Sequence, residues 1–325
     1  MDETKQEEWQ QKLATAINDL AEDWRWLDYL KAQAQLPNYS PRNVLLIALQ
    51  NEEARHVMSF GAWAKMGNPV KRGEKGMVIL APNLQKFTER NEETGEEKER
   101  SMVRGFHWAY TFDVSQTVNP DCFREMEEKL FKLHGEGHEE LFEALVDVAK
   151  SCGYSVQKEE LGEARGVTRF TNHEIGLNVN NSGEQNINTM AHELGHILLE
   201  HNDGTCDRPQ RELEAQSVSF VVLEHFRLQG YPVNNTKTSA SYLLNWQANE
   251  PEKAKEQLLQ SAARIQKTAK KVINQTEEFL EKKEQERGLT SLTLEVKEEL
   301  ENLKNLGMTP EELQAQQRGG FGRTR

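Results

Sequence analysis

The segment MAHELGHILL (residues 190–199) decides how the second half of the chain is interpreted. His192 and His196 are four residues apart, so on an α-helix both imidazoles lie on one face and reach a single metal ion. Glu193 lies beside them, close enough to act on a water molecule at that ion. Apolar residues at 190, 194, 197 and 198 give the same helix a buried side. The segment therefore predicts a metal-binding helix that is packed into a core.

A catalytic zinc ion of this kind needs a third protein ligand and leaves its fourth position to water. The next helix supplies candidates in RELEAQ (211–216). Glu212 fits an ExxA spacing, in which the small Ala215 lets the two helices approach closely. Glu214 projects about 200° away from Glu212 on a helix of roughly 100° per residue, so only one of the two carboxylates faces the metal. We favour Glu212, and we regard His201, just past the helix end, as a weaker candidate.

The metzincin class of zinc peptidases is excluded by the residues that follow HELGH. That class requires Gly at 199 and His at 202, and this chain has Leu199 and Asn202.

Apolar periodicity predicts an α+β protein with two domains. A helix is expected over 5–36 and a buried second helix from Ser40-Pro41, where Ser40 is the N-cap. Strands are expected at 77–82 and 102–114, with the charged stretch 89–100 as the loop between them. The predicted division of the chain is a first domain (1–120), a linker (121–137), a peptidase-like domain (138–275) and a charged helical extension with a basic tail (276–325).

The second domain is expected to contain helices at 138–152, 184–201 and 209–228 and three short strands within 154–180. The strand EIGLNVN (174–180) is predicted to be the sheet edge that borders the cleft. An extended peptide could add to such an edge by β-pairing.

Charge and cysteine content limit the possible partners and the compartment. The net charge of −13 argues against nucleic acid as an average over the chain. Residues 63–76 are the exception, since they carry three glycines and a net charge of +3. Their basic residues are candidates for phosphate contacts: Lys65, Lys71, Arg72 and Lys75.

Aromatic residues of the 102–114 strand, among them Trp108, are candidates for stacking on unpaired bases. Three widely spaced cysteines, with no CxxC pair, predict a reducing cytoplasm. The first residues do not form a signal peptide, and no apolar run is long enough to cross a membrane.

Several stretches, taken in order, resemble the ArdC family of antirestriction proteins of conjugative plasmids and mobile elements. They are YSPRNVLLI (39–47), FGAWAKMGNPVKRGEKGMVILAP (60–82), FDVSQT (112–117), HELGH (192–196), RELEAQSVSFVV (211–222) and SASYLLNW (239–246). The resemblance implies an N-terminal domain that binds single-stranded DNA. It also implies a C-terminal zincin-like metallopeptidase domain related to the ImmA and IrrE proteases.

By this resemblance, His192, His196 and Glu212 are the metal ligands and Glu193 is the catalytic base. Gln216 occupies a place where related sequences carry an acid or amide that orients a ligand histidine. Asn43 also matches a family position, and we place it among the expected DNA contacts.

The sequence thus predicts a cytoplasmic antirestriction-type protein that binds single-stranded DNA and acts on an unidentified protein substrate. The His2Glu set favours Zn²⁺, and Mn²⁺ and Co²⁺ remain open. One alternative is an ImmA-type regulatory metalloprotease that cleaves a repressor. Another is a non-catalytic protein that coats single strands and keeps a vestigial metal site.

Overall fold

The structure is a computed structural model that describes residues 2–20, 23–90, 97–124, 138–204, 206–229, 231, 233 and 251–286. The chain forms two compact units. The first contains the chain up to Asn18 together with Asn38–Cys122, and the second contains Asp19–Pro37 and the described residues from Phe123 onward. Helices combined with two small sheets confirm the α+β class and the two-domain organisation.

The first unit combines helices with a three-stranded antiparallel sheet in the order β1-β3-β2. Its elements are α1 (Glu3–Asp19), α3 (Pro41–Gln50), β1 (Val57–Ser59), α4 (Phe60–Lys65), β2 (Met77–Arg90) and β3 (Glu97–Asp113). Strands β2 and β3 are longer than predicted and take in residues 89–90 and 97–100 of the charged stretch that we expected to be a loop. Residues 91–96 of that stretch lie outside the described residues.

Helix α3 closes the outer edge of β2 through side-chain amides. It begins as predicted, with the Ser40 hydroxyl accepting a hydrogen bond from the backbone N–H of residue 43. Asn43 donates to the Leu80 carbonyl and accepts from the Leu80 N–H, both at 2.9 Å. Gln50 makes the same pair with Val78. The backbone groups of this edge strand are thereby satisfied, and the edge is protected from pairing with another chain.

The second unit contains five helices and a mixed sheet in the order β4-β6-β5 among its described residues. Its elements are α2 (Asp23–Gln35), α5 (His138–Ser151), β4 (Ser155–Glu159), β5 (Gly166–Arg169), β6 (Glu174–Asn178), α6 (Gly183–Leu198), α7 (Arg208–Leu228) and α8 (Pro251–Glu286). Helices α5, α6 and α7 and the three strands lie where the sequence predicts them, within a few residues at each end.

The single helix expected over 5–36 is wrong, because the structure has two helices that belong to different units. Helix α2 packs against α7, where the buried Trp26 indole N–H donates to the Ser217 hydroxyl at 3.0 Å. Both halves of the segment share the same apolar spacing. The spacing alone therefore does not show that they pack into separate cores.

The strand predicted to be the sheet edge is also different in the structure. β6 is the central strand, with β4 parallel on one side and β5 antiparallel on the other. Its Ile175 and Leu177 side chains lie on one face of the sheet and are fully buried. β5 is the strand beside α6, and it borders the HELGH segment.

Helix α8 is 36 residues long and packs against α5 and α7. The boundary placed at 275–276 falls inside this helix, and residues 287–325 of the predicted extension lie outside the described residues. Most of the predicted linker, residues 125–137, lies outside them as well. Among the described residues, no helix is long and apolar enough to span a bilayer.

Candidate metal centre

Helices α6 and α7 bring three potential ligand atoms together. The Nε2 atoms of His192 and His196 are 3.1 Å apart. The Glu212 carboxylate lies 3.6 Å from the first and 3.8 Å from the second. Tetrahedral ligands at about 2.0–2.2 Å from one zinc ion have similar mutual separations. Two imidazoles and one carboxylate are also a typical catalytic zinc set, so these residues fit the ion that the sequence predicts.

The close approach of α6 and α7 depends on two small residues. A Cβ atom at Gly195 would lie 2.9 Å from Ala215 Cα, nearer than real contacts allow, and 3.1 Å from the Ala215 carbonyl oxygen. Gly195 lies between His192 and His196 on α6, and Ala215 lies one turn after Glu212 on α7. The glycine therefore lets the two helix backbones touch at the level where the three ligand atoms meet.

Glu193 lies beside this cluster and is held by the edge strand. Its side chain is buried, and Oε2 accepts a 2.7 Å hydrogen bond from the Thr168 hydroxyl on β5. A Cβ at Gly166 would lie 3.0 Å from Oε1, so the absence of a side chain there leaves room for the carboxylate. Burial raises the pKa of Glu193, and the opposing effects of His192 and the Thr168 hydrogen bond do not cancel it.

Burial acts in the opposite direction on the neighbouring histidine. It disfavours the imidazolium and, with the nearby His192, lowers the pKa of His196 to about 3. Contact with His192 lowers the pKa of Glu212 despite its partial burial. In the absence of metal, these shifts favour a neutral imidazole at His196 and an ionised carboxylate at Glu212. These are the protonation states in which both side chains bind cations.

Sequence reasoning missed the role of His201, which lies behind His196. The Nδ1 atoms of the two rings are 2.8 Å apart, and His201 Nε2 is 3.0 Å from Glu214 Oε2. The family resemblance suggested that Gln216 orients a ligand histidine. In the described residues, however, His196 Nδ1 faces His201 and His192 Nδ1 has no hydrogen-bond partner. Glu214 is fully buried; burial would raise its pKa, but hydrogen bonds from His201 and Ser261 outweigh this effect and lower it.

A Schellman motif at the end of α6 brings His201 to this position. The His201 N–H donates to the His196 carbonyl, and the Glu200 N–H donates to the Ile197 carbonyl. Glu200 has the left-handed conformation that this motif requires, with φ of 57°. Glycine is the usual residue at that position, so its absence removed the sequence signal that would have revealed the turn.

In the first unit, the basic loop lies against an aromatic strand. A Cβ at Gly76 would lie 2.9 Å from both the Phe112 ring and Tyr110 Cβ. Phe106 and Tyr110 are 45% and 48% exposed on one face of β3, and Trp108 between them is half-buried. The basic residues of the loop and of the end of α4 are all exposed: Lys65, Lys71, Arg72 and Lys75.

Asn43 has a different environment from the other expected DNA contacts. Its side chain is fully buried and bonded to the backbone of Leu80. The structure thus gives it a role in holding α3 on β2, and we leave it out of the DNA contacts that we propose.

Comparisons with known proteins identify both parts of the chain. Residues 3–111 match the family model of the N-terminal domain of the anti-restriction factor ArdC. Residues 149–301 match the IrrE N-terminal-like domain of the Peptidase_M78 family. These two matches confirm the two-domain resemblance that the sequence motifs predicted.

Individual relatives are more distant. An uncharacterized protein of Bacillus anthracis is 26% identical over 300 residues, which cover 80% of this chain and 49% of that protein. The chain therefore spans about half the length of this relative. The metal-free crystal structure of antirestriction ArdC from plasmid R388 is 19% identical, covers 73% of this chain and 85% of its own, and has a TM-score of 0.46. The Mn(II)-bound structure of the same protein is 17% identical. It covers 72% of this chain and 84% of its own chain, with a TM-score of 0.42.

Proposed function

The chain is ArdC-like, with an ArdC N-terminal domain followed by an IrrE N-terminal-like domain, and we propose that it is an antirestriction-type protein with two activities. The second unit is a zinc-dependent peptidase, and the first binds single-stranded DNA. The observation that carries the peptidase proposal is the convergence of two imidazoles and a carboxylate within 3.8 Å beside the buried Glu193. The three cysteines form no disulfide, which agrees with the cytoplasmic location we propose.

His192, His196 and Glu212 would hold the metal, with Zn²⁺ favoured over Mn²⁺ or Co²⁺ by the donor set. When bound, such an ion supplies Lewis-acid chemistry and lowers the pKa of water to about 7. The remaining chemistry belongs to the side chains and backbone groups that surround the ion.

Glu193 is the proposed general base. Thr168 holds one carboxylate oxygen, Oε2, and thereby fixes the orientation of the group. Oε1 is then the atom that takes a proton from water and passes it to the leaving amine. The raised pKa of Glu193 suits this exchange, because a general base works best when its pKa approaches the working pH.

The outer edge of β5, which pairs with no further strand among the described residues, is the proposed binding site for the peptide backbone. The Asn178 N–H donates to the Arg165 carbonyl, so residues 165 and 178 are a hydrogen-bonded pair of the antiparallel ladder. Hydrogen-bonded and non-hydrogen-bonded pairs alternate, which leaves the N–H and C=O groups of Gly166 and Thr168 on the outer edge. An extended peptide that pairs there runs next to Glu193.

The peptidase proposal is tested by replacing Glu193 with glutamine. Glu193→Gln keeps the shape of the side chain and a group that accepts from Thr168, and it removes the base. Zinc content should be unchanged, and hydrolysis should fall by about 10²–10⁴-fold or more. Because the substrate is unidentified, new protein N-termini are compared by mass spectrometry in cells that express either form.

The exposed Glu160→Gln is the matched control in the same unit and should leave the cleavage pattern intact. Identical sets of new N-termini for wild type and Glu193→Gln would contradict the peptidase proposal.

For the first unit, charge and aromatic exposure support DNA binding. Basic side chains at 71, 72 and 75 neutralise phosphates, and bases stack on the face of β3 that carries Phe106 and Tyr110. Gly76 allows the two features to lie in contact. Phosphate contacts and base stacking carry little sequence information, so we expect binding without sequence preference.

The DNA proposal is tested on the full chain with a fluorescent single-stranded oligonucleotide over a salt series. Affinity should fall with increasing salt, and replacing Lys71 and Arg72 together by alanine should reduce the slope by about 1–2. The exposed pair Lys150 and Lys158 of the second unit, replaced in the same way, should leave the slope unchanged. Absence of binding at about 50 mM salt, or a flat response, would contradict the proposal.

The alternatives raised by the sequence give different outcomes in these assays. A protein that protects DNA only by coating single strands should still protect against restriction as the Glu193→Gln variant. A regulatory protease of the ImmA type should cleave a repressor and show no salt-dependent affinity for single strands.

A further inference from the structure

His201 stands between a proposed metal ligand and a buried carboxylate. Its ring is almost completely buried, at 2% exposure, and uses both nitrogens. Nδ1 faces His196 Nδ1 at 2.8 Å, and Nε2 faces Glu214 Oε2 at 3.0 Å. The three side chains thus form a continuous chain of hydrogen bonds from the metal cluster into the core.

Only one arrangement of protons satisfies this chain when His196 binds a metal through Nε2. His196 Nδ1 then carries the proton and donates it to His201 Nδ1. His201 must keep that nitrogen unprotonated, so its own proton is on Nε2 and is donated to the Glu214 carboxylate. Glu214 therefore selects the tautomer of His201, and His201 selects the metal-binding tautomer of His196.

Helix α8 holds the far end of this chain. The Ser261 hydroxyl donates to Glu214 Oε1 at 2.6 Å, and the Arg264 guanidinium lies 3.5 Å from Oε2. Arg264 also donates to the Leu199 carbonyl at the end of α6, at 2.7 Å. The carboxylate thus has partners on both oxygens and a cation beside it, which keeps it ionised and fixed.

We propose that His201 and Glu214 are positioning residues that hold His196 ready for metal, and that α8 stabilises them through Ser261 and Arg264. This inference rests on the metal site proposed above. Outer partners of this kind fix the orientation of a ligand histidine and increase its basicity, and their loss typically weakens metal binding by about 10–100-fold.

A second metal site is the rival interpretation of the same residues. Ligand atoms of His201, Cys206 and Glu214 lie within 4.8 Å of one another. However, both nitrogens of His201 and both oxygens of Glu214 already have partners, and the Arg264 cation would lie close to a second ion. We therefore favour the positioning role and make a second ion an outcome of the test.

The experiment measures Zn²⁺ affinity by competition with a chromogenic chelator, together with the absorption spectrum of the Co²⁺ form and thermal stability. His201→Leu removes both hydrogen bonds and should raise the Kd for Zn²⁺ by about 10–100-fold and change the Co²⁺ spectrum. His201→Asn restores an acceptor near the position of Nδ1, so its Kd should lie between those of wild type and His201→Leu.

The matched control is His225→Leu. His225 on α7 is a histidine that contacts a carboxylate, Glu277 on α8, at 2.9 Å, and it is not part of the metal cluster. It should lower thermal stability and leave the Kd unchanged. Ser261→Ala, which removes one hydrogen bond to Glu214 and creates little empty space, serves as a second probe and should weaken Zn²⁺ binding even where His201→Leu does not fold.

The possible failures are distinguishable. If wild type binds no Zn²⁺, the proposed function is wrong, and so is the positioning role of His201 and Glu214. If wild type binds Zn²⁺ but His201→Asn and Ser261→Ala bind it with the same affinity, only the positioning role is overturned. Two Zn²⁺ ions per chain, one of them lost in Cys206→Ser, would establish the second metal site in its place.

Discussion

Replacing Gly195 by alanine should weaken metal binding at only a small cost to the stability of the fold. The new methyl group would lie 2.9 Å from Ala215 Cα, whereas carbon atoms in contact are about 3.5–4.0 Å apart. Helices α6 and α7 must therefore separate by roughly 1 Å. Overpacking of this kind costs about 1–3 kcal/mol, and alanine regains about 1 kcal/mol of helix propensity. The net loss of unfolding free energy should be about 0–2 kcal/mol.

The same displacement is large for a metal site, where ligand distances are held within about 0.2 Å. Since Glu212 is on α7 and both histidines are on α6, the separation moves the carboxylate away from the imidazoles. Zn²⁺ affinity, measured by chelator competition, should fall at least tenfold, or about 1.4 kcal/mol. Gly183→Ala is the control on the same helix, because a Cβ there meets nothing within 4 Å. Unchanged Zn²⁺ affinity in Gly195→Ala would show that the close contact of α6 and α7 does not set the ligand geometry.

Three further predictions concern stability. Asn43→Leu leaves the N–H and C=O of Leu80 without partners and should destabilise the first unit by about 2–4 kcal/mol in urea unfolding. Trp26→Phe removes the hydrogen bond to Ser217 and should cost the second unit about 1–2 kcal/mol in the same assay. Because the pKa of His196 falls from 6.5 to about 3 on folding, the unfolded chain binds more protons between these values. The metal-free protein should therefore lose stability as the pH falls from 6.5 towards 3, and His196→Gln should lose less.

Features set by local spacing could be predicted from the sequence. His192 and His196 are one helical turn apart, and the ExxA pattern that pairs Glu212 with Ala215 depends on the same periodicity. The Ser40 N-cap was predicted for a similar reason, since its hydroxyl serves a backbone N–H three residues away. In each case the residues that interact are neighbours in the chain or on one helix face.

Features set by tertiary packing could not be predicted in this way. The order β4-β6-β5 depends on which strand enters the middle of the sheet, and the apolar content of EIGLN is compatible with more than one position. His201 reaches His196 only because Glu200 adopts a left-handed conformation that its residue type does not suggest. The partners of Glu214 on α8 lie about 50 residues away in sequence and become evident only when the helices pack.

If α6 and α7 together hold one metal ion, the zinc content of the folded protein depends on Glu212. Purified wild type and Glu212→Ala are loaded with Zn²⁺, passed over a desalting column and analysed by native mass spectrometry. We expect one tightly held zinc ion per wild-type chain and its loss from Glu212→Ala, with both chains folded. Zinc retained equally by both, or by neither, would contradict it.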